Sequence, residues 1–93
     1  MNKADIVKQL SEQSNLNHKL AKIVVDTIID TIRKAIISGE RVEIRGFGNF
    51  SLRSYKPYKG RNPKNGKIVE VPAKRLPYFR VGKELKETIW GNH

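Results

Sequence analysis

Apolar positions recur along residues 20–37 with the spacing of a broad helix face. Leu20, Ile23, Val24, Thr27, Ile28, Thr31, Ile32, Ala35 and Ile36 follow an i, i+3, i+4, i+7 series. A second stripe of Ala21, Val25, Ile29 and Ile37 widens that face. Asn17 is placed to cap this helix, and Gly39 to end it. A shorter helix precedes it. Asn2 caps the start, Asp5 reaches back from the third position, and Ile6, Val7 and Leu10 form its apolar stripe until Ser14-Asn15. Beyond Gly39 the period drops to two. Val42 and Ile44 alternate with Arg41, Glu43 and Arg45, and Phe50 and Leu52 alternate with Asn49, Ser51 and Arg53. With Gly46-Phe47-Gly48 as the turn, this predicts a hairpin with one apolar face. Residues 76–81 return the chain to the sheet. Pro77 puts that strand at an edge or strand end, and Lys83 to Trp90 reads as a short closing helix.

The long apolar helix needs more cover than one short helix provides. The chain has 93 residues and no cysteine. If residues 53–75 project from the body, only about 70 residues remain for a core, near the lower limit for a domain without disulfide or metal. Burial against a second subunit is the expected remedy. Ile28 and Ile32 are placed in that subunit core.

Charge sharpens the picture. The net charge is +10. Residues 1–45 carry eight Lys/Arg against six Asp/Glu, whereas residues 46–93 carry eleven against three. The stretch 53–75 holds Arg53, Lys56, Lys59, Arg61, Lys64, Lys67, Lys74 and Arg75 against Glu70 alone. Strand-like runs from Leu52 to Tyr58 and from Lys67 to Val71 flank the turn Gly60-Arg61-Asn62-Pro63-Lys64-Asn65-Gly66. A cationic hairpin of this kind fits a polyanion, with its cations on phosphates and Pro63 as a wedge at a base step. Lys3, Arg80, Lys83 and Lys86 lie near helix starts or on the last strand, where helix dipoles favour phosphate.

Other chemistry finds little support. His18 and His93 are isolated, and neither has partners at metal-ligand spacing. Gly46-Phe47-Gly48 lacks the later glycine and the helix of a phosphate loop. No metal, cofactor, small-molecule substrate or enzymatic activity is expected. No apolar run approaches a membrane span, and Met1-Asn2-Lys3-Ala4-Asp5 opens no signal-peptide core, so a cytosolic location is expected. Phe47, Phe50 and Phe79 are read as core rather than as base-stacking platforms. Two readings of Tyr55 and Tyr58 stand: hydroxyl contact to phosphate or stiffening of the arm base, and plain cross-strand packing.

Three segments carry a resemblance to a known family. They are Gly46-Phe47-Gly48-Asn49-Phe50, the tip from Gly60 to Gly66, and Pro77-Tyr78-Phe79-Arg80-Val81-Gly82-Lys83-Glu84-Leu85-Lys86. In this order and spacing the chain resembles the HU/integration host factor family of bacterial DNA-bending proteins over nearly its whole length. The runs Gly39 to Gly48 and Gly82 to Leu85 look most like the integration host factor beta subunit. The resemblance implies an intertwined dimer and two arms gripping the minor groove. It also implies Asn62-Pro63 at an inserting tip and Phe47, Phe50 and Phe79 in the dimer core. By the same likeness Glu43 and Arg45 share a strand face and take part in sequence preference. Tyr55 and Tyr58 stand where family members usually carry Arg, with Lys56 and Lys59 one residue away.

The expected fold is α+β: two N-terminal helices, a three-stranded antiparallel sheet with a long protruding β-hairpin arm, and a short C-terminal helix. One domain is expected, with residues 1–38 helical and dimerising, 39–52 and 76–81 as sheet, 53–75 as arm and 82–90 as the last helix. The expected function is architectural: to bind duplex DNA in the minor groove through the basic β-arms, insert the tip proline, and bend or compact the DNA. A homodimer is expected, with a heterodimer of homologous chains as the alternative. A structured-RNA protein is the main competitor, and it would need neither the apolar second-helix face nor a proline wedge. A membrane-surface amphipath would need its cations opposite an apolar helix face.

Overall fold

The structure is a computed structural model describing residues 1–91. The element order is α1 (Lys3–Ser14), α2 (His18–Ile37), β1 (Val42–Ile44), β2 (Gly48–Tyr55), β3 (Tyr58–Arg61), β4 (Ile68–Val71), β5 (Lys74–Val81) and α3 (Lys83–Trp90). The chain divides into two compact units, Met1–Ala35 and the remainder from Ile36. The α+β class and the number and order of helices follow the sequence pattern.

In the first unit, both helix starts are capped by asparagine. The Asn2 side chain accepts from the Asp5 N–H at 2.9 Å, and the Asp5 carboxylate accepts from the Asn2 N–H at 2.9 Å. The Asn17 side chain accepts from the Leu20 N–H at 2.8 Å. Each such cap is worth about 1 kcal/mol, because it satisfies an otherwise orphaned donor. Helix α1 ends on Asn15 in the left-handed region at φ 52°, a conformation asparagine tolerates better than most residues.

The core of this unit is small. Val7, Ala21 and Val25 are buried, with Leu10 and Leu16 packed against them. Helix α2 therefore covers α1 with its second stripe. Its principal stripe stays open: Leu20, Ile23 and Ile28 remain 48%, 52% and 54% exposed. Thr27 and Thr31 can sit on that apolar face because their hydroxyls donate to the carbonyls of Ile23 and Thr27, each at 2.7 Å.

In the second unit, β1, β2 and β5 form an antiparallel sheet in that order, and β3 pairs with β4 in a separate ladder. Pro77 lies opposite Leu52 in the edge strand β5, a placement proline tolerates because alternate N–H groups of an edge strand face away from the sheet. Register fixes the two faces of the sheet. Val42, Ile44, Phe50, Leu52, Pro77, Phe79 and Val81 fall on one side. Glu43, Asn49, Ser51, Arg53, Tyr55, Lys74, Leu76, Tyr78 and Arg80 fall on the other. The phenylalanines gather on the apolar side. Ring centroids are 4.9 Å apart for Phe50–Phe79, 5.3 Å for Phe47–Phe79 and 6.5 Å for Phe47–Phe50. In the single chain Phe47 and Phe79 still expose 45% and 40% of their surface.

Three expectations need correction. The sheet extends beyond the expected boundaries at residues 52 and 76. The β2–β5 ladder runs out to Tyr55↔Lys74, so Arg53, Lys74 and Arg75 belong to the three-stranded sheet. A new ladder begins at Tyr58↔Val71, with Lys56-Pro57 and Pro72-Ala73 between the two. Neither proline has an N–H to give, so the ladder breaks where both strands carry one. Lys67 likewise precedes β4 rather than starting it. Finally, β1 stops at Ile44 and Arg45 lies in the turn, so strand alternation does not pair it with Glu43 on one face.

Candidate nucleic-acid interface

The arm tip is a closed turn. The Asn62 N–H donates to the Lys67 carbonyl at 2.8 Å, and the Gly66 N–H donates to the Asn62 carbonyl at 2.7 Å. The Asn62 side chain accepts from the Lys64 N–H, and the Asn65 side chain from the Lys67 N–H, both at 2.9 Å. Gly66 takes φ +70°, which a side chain would strain. These bonds hold the loop without using Pro63, which is exposed at the tip. Lys64 and Lys67 flank it, both exposed.

Along β3 and β4, the register places Lys59 and Arg61 on one face with Glu70 and Ile68. Tyr58, Gly60, Val69 and Val71 take the other face. The Tyr58 ring lies along this apolar side, near the position a Gly60 side chain would occupy. Lys56 sits in the break between the ladders.

On the sheet, Arg53, Lys74 and Arg80 share the polar face. That face continues into a groove lined by Arg41, Asn49, Tyr78, Arg80, Lys83 and Lys86. Helix α3 starts there on Gly82, whose position offers no side-chain cap. Its first-turn N–H groups thus add to the field of the lysines. Arg45 and Lys83 line an adjoining cleft together with Glu43 and Glu84, and the Glu84 carboxylate sits 3.2 Å from where a Gly46 Cβ would lie. Cations here are interleaved with carboxylates rather than massed.

Of the remaining expected contacts, Arg75 is not on this face, and Lys3 belongs to the first unit. Arg75 falls on the phenylalanine side of the sheet, with its guanidinium 3.7 Å from the position of a Gly39 Cβ. Lys3 donates to Asp26 at 2.8 Å, and Lys22 reaches the same carboxylate at 2.9 Å. The start of α1 is also occupied by its own capping box and the Asp5 carboxylate, which disfavours a further anion. The Lys3 hydrogen bond, followed by that of Lys22, holds the Asp26 carboxyl below its ordinary value of 3.8. Asp30 is lowered in the same sense by Arg33 and then Lys34.

Sequence reasoning missed Arg41 and Asn49, which join the groove only once β1, β2 and β5 are in register. Period-two alternation signalled that Asn49 is polar-facing, but nothing signalled its neighbours. Among the described residues no group of His, Cys, Asp or Glu is placed to hold a metal, and no helix is long and apolar enough to cross a membrane. His18 opens α2, while His93 lies outside the described residues.

A two-faced sheet, cationic on one side and apolar on the other, with a basic β-arm closed by an exposed proline, defines a small β-armed protein built to meet a polyanion. The chain belongs to the bacterial DNA-binding protein family, whose pattern it matches over residues 1–89. It is 40% identical over 89 residues to DNA-binding protein HU of Staphylococcus aureus strain COL, spanning 96% of this chain and 99% of that one. It is 46% identical over 90 residues to the integration host factor subunit beta of Dechloromonas aromatica, spanning 96% of both. Among solved structures it is similar to the Anabaena HU–DNA cocrystal structure, with a TM-score of 0.85, 38% identity, and 96% and 97% of the two chains covered. This is a family of DNA-binding proteins and not of enzymes.

Proposed function

We propose that this protein is an architectural, nucleoid-associated protein of the bacterial cytoplasm that binds duplex DNA through the minor groove and bends it. The observation that carries the reading is the tip. Pro63 is exposed, uncharged and held by a turn whose hydrogen bonds do not involve it, at the end of a strand pair bearing Lys59 and Arg61. Arm cations contact phosphates and supply affinity. Pro63 enters a base step and exchanges lost stacking for a bend. The bend brings flanking DNA onto the polar face, where Arg53, Lys74, Arg80, Lys83 and Lys86 meet its backbone.

The active form is a dimer. The unfilled stripe of α2 and the half-exposed Phe47 and Phe79 are apolar surfaces that the single chain leaves uncovered, and such surfaces on a small domain mark an interface. Ile28, Ile32, Phe47, Phe50 and Phe79 form its core. The DNA-bound Anabaena relative and the relative named as a subunit support this reading. A homodimer is the simplest assembly, and a heterodimer with a homologous chain would use the same faces.

Salt titration of binding to a short duplex tests the electrostatic half. Log K should fall with log salt with a slope on the order of −5 to −10. Arg61→Ala should make it shallower by about one. A flat dependence overturns the phosphate-led mechanism.

A further inference from the structure

The polar sheet face holds an unusual pair. The Arg53 guanidinium carbon lies 3.3 Å from the centroid of the Tyr78 ring. Register explains the meeting. Arg53 opposes Leu76 and Ser51 opposes Tyr78, so Arg53 and Tyr78 are diagonal neighbours on one face of the β2–β5 ladder. Tyr78 is half-buried, whereas Arg53 is exposed. Among the described residues Arg53 forms no ion pair with a carboxylate. The ring is therefore the platform on which this side chain rests.

Stacking uses only the flat face of a guanidinium. Its five N–H donors lie in the plane and stay free. A stacked arginine is thus oriented, with most of its rotamer freedom already lost and its fork still open to an anion. Tyr78 also borders the groove containing Arg41, Arg80, Lys83 and Lys86. The ring fixes where the Arg53 charge stands beside that cluster.

We propose that Tyr78 is a positioning residue for DNA: its ring holds the Arg53 guanidinium in an orientation ready for a backbone phosphate crossing the sheet face. This rests on the reading that the polar face meets DNA. The step is binding only. Arg53 makes the contact, and Tyr78 acts through it. The pairing also gives Tyr78 a role that its position next to the core residue Phe79 would not reveal.

A double-mutant cycle tests it, with affinity for a short linear duplex measured for wild type, Tyr78→Ala, Arg53→Ala, the double variant and Tyr78→Phe. Tyr78→Ala should weaken binding about twofold to tenfold, the scale of an exposed-to-partly-buried cation–π contact. It should cost nothing further once Arg53 is already alanine. Tyr78→Phe keeps the ring and should bind as wild type, which separates the platform from any hydroxyl contact. Thermal unfolding of each variant checks the fold. If Tyr78→Ala does not fold, Arg53→Lys replaces it: the charge remains but the planar stack is lost, and binding should fall toward that of Arg53→Ala. Equal losses from Tyr78→Ala in both backgrounds, wild-type binding by Tyr78→Ala, or wild-type binding by Arg53→Ala or Arg53→Lys would each overturn the proposal. Those results leave DNA binding intact, whereas failure of the wild-type protein to bind duplex would remove the underlying reading itself.

Discussion

Gly48 lies directly beneath Phe79. A Cβ on Gly48 would stand 2.6 Å from the Cζ of that ring and 2.5 Å from the Arg80 carbonyl oxygen. The position is buried and sits in β2 opposite Val81. The phenylalanine cluster can close over the sheet only because no side chain intervenes.

Gly48→Ala should therefore destabilise the protein by about 1–3 kcal/mol, the usual cost of overpacking, since the clash includes backbone that cannot swing away. Urea denaturation measures it. Gly60→Ala is the control. Its Cβ would meet Tyr58 and Val71 at 3.6 and 3.7 Å, ordinary contact distances, and should cost little. Equal effects of the two would contradict the packing described for Phe79.

Ile28→Asp discriminates between monomer and dimer. In the single chain Ile28 is more than half exposed, so a monomer would tolerate aspartate with little change. In the dimer the charge enters a core unpaired, at a cost of several kcal/mol. Circular dichroism and sedimentation should show loss of the folded state. An Ile28→Asp protein that remains a folded dimer of unchanged stability would exclude α2 as an interface.

Pro63→Ala separates wedge from charge. The substitution leaves the net charge unchanged and spares the Asn62–Lys67 and Asn62–Gly66 bonds that close the tip. Fluorescence transfer across a short duplex should report a smaller bend, while affinity for linear duplex should fall by no more than a few kcal/mol, because the unstacking cost disappears too. An unchanged bend would reduce Pro63 to a turn former.

Asp26 should titrate below its ordinary 3.8, chiefly through its hydrogen bond from Lys3. A depressed folded-state value stabilises the fold above about pH 4. That contribution is lost as pH falls through the lowered value. Lys3→Met should move the Asp26 midpoint, followed by carboxyl NMR, up toward 3.8. The Lys22 contact should keep it from arriving fully.

Most of the fold was legible because local signals agreed. Asn2 with Asp5, and Asn17, marked helix starts that the structure places where their spacing said. The 3.6 period of α2 announced a helix with too much apolar surface. It could not say which stripe meets α1, since Ala21 and Val25 look weaker on paper than Ile23 and Ile28. Shape decided that, with the small residues admitting the close neighbour and the large ones left outward. The arm's charge was plain, but its interruption at Pro57 and Pro72 needed both prolines to be seen facing one another across the hairpin. The groove with Arg41 and Asn49, and the seat of Arg53 on Tyr78, depend on cross-strand register, which one-dimensional alternation does not contain. Arg75 shows the same limit in reverse, a cation in the basic stretch that register turns to the apolar side.

The gap between the two ladders gives the arm its own clock. Amide protons of β3 and β4 are tied only to each other, while those of β2 and β5 are tied to the sheet. Hydrogen exchange should therefore resolve two opening equilibria in one small unit, fast for residues 58–71 and slow for the β2–β5 ladder. A protease could trim the arm and leave a folded stump, and bound DNA should slow exchange most where the free protein exchanges fastest.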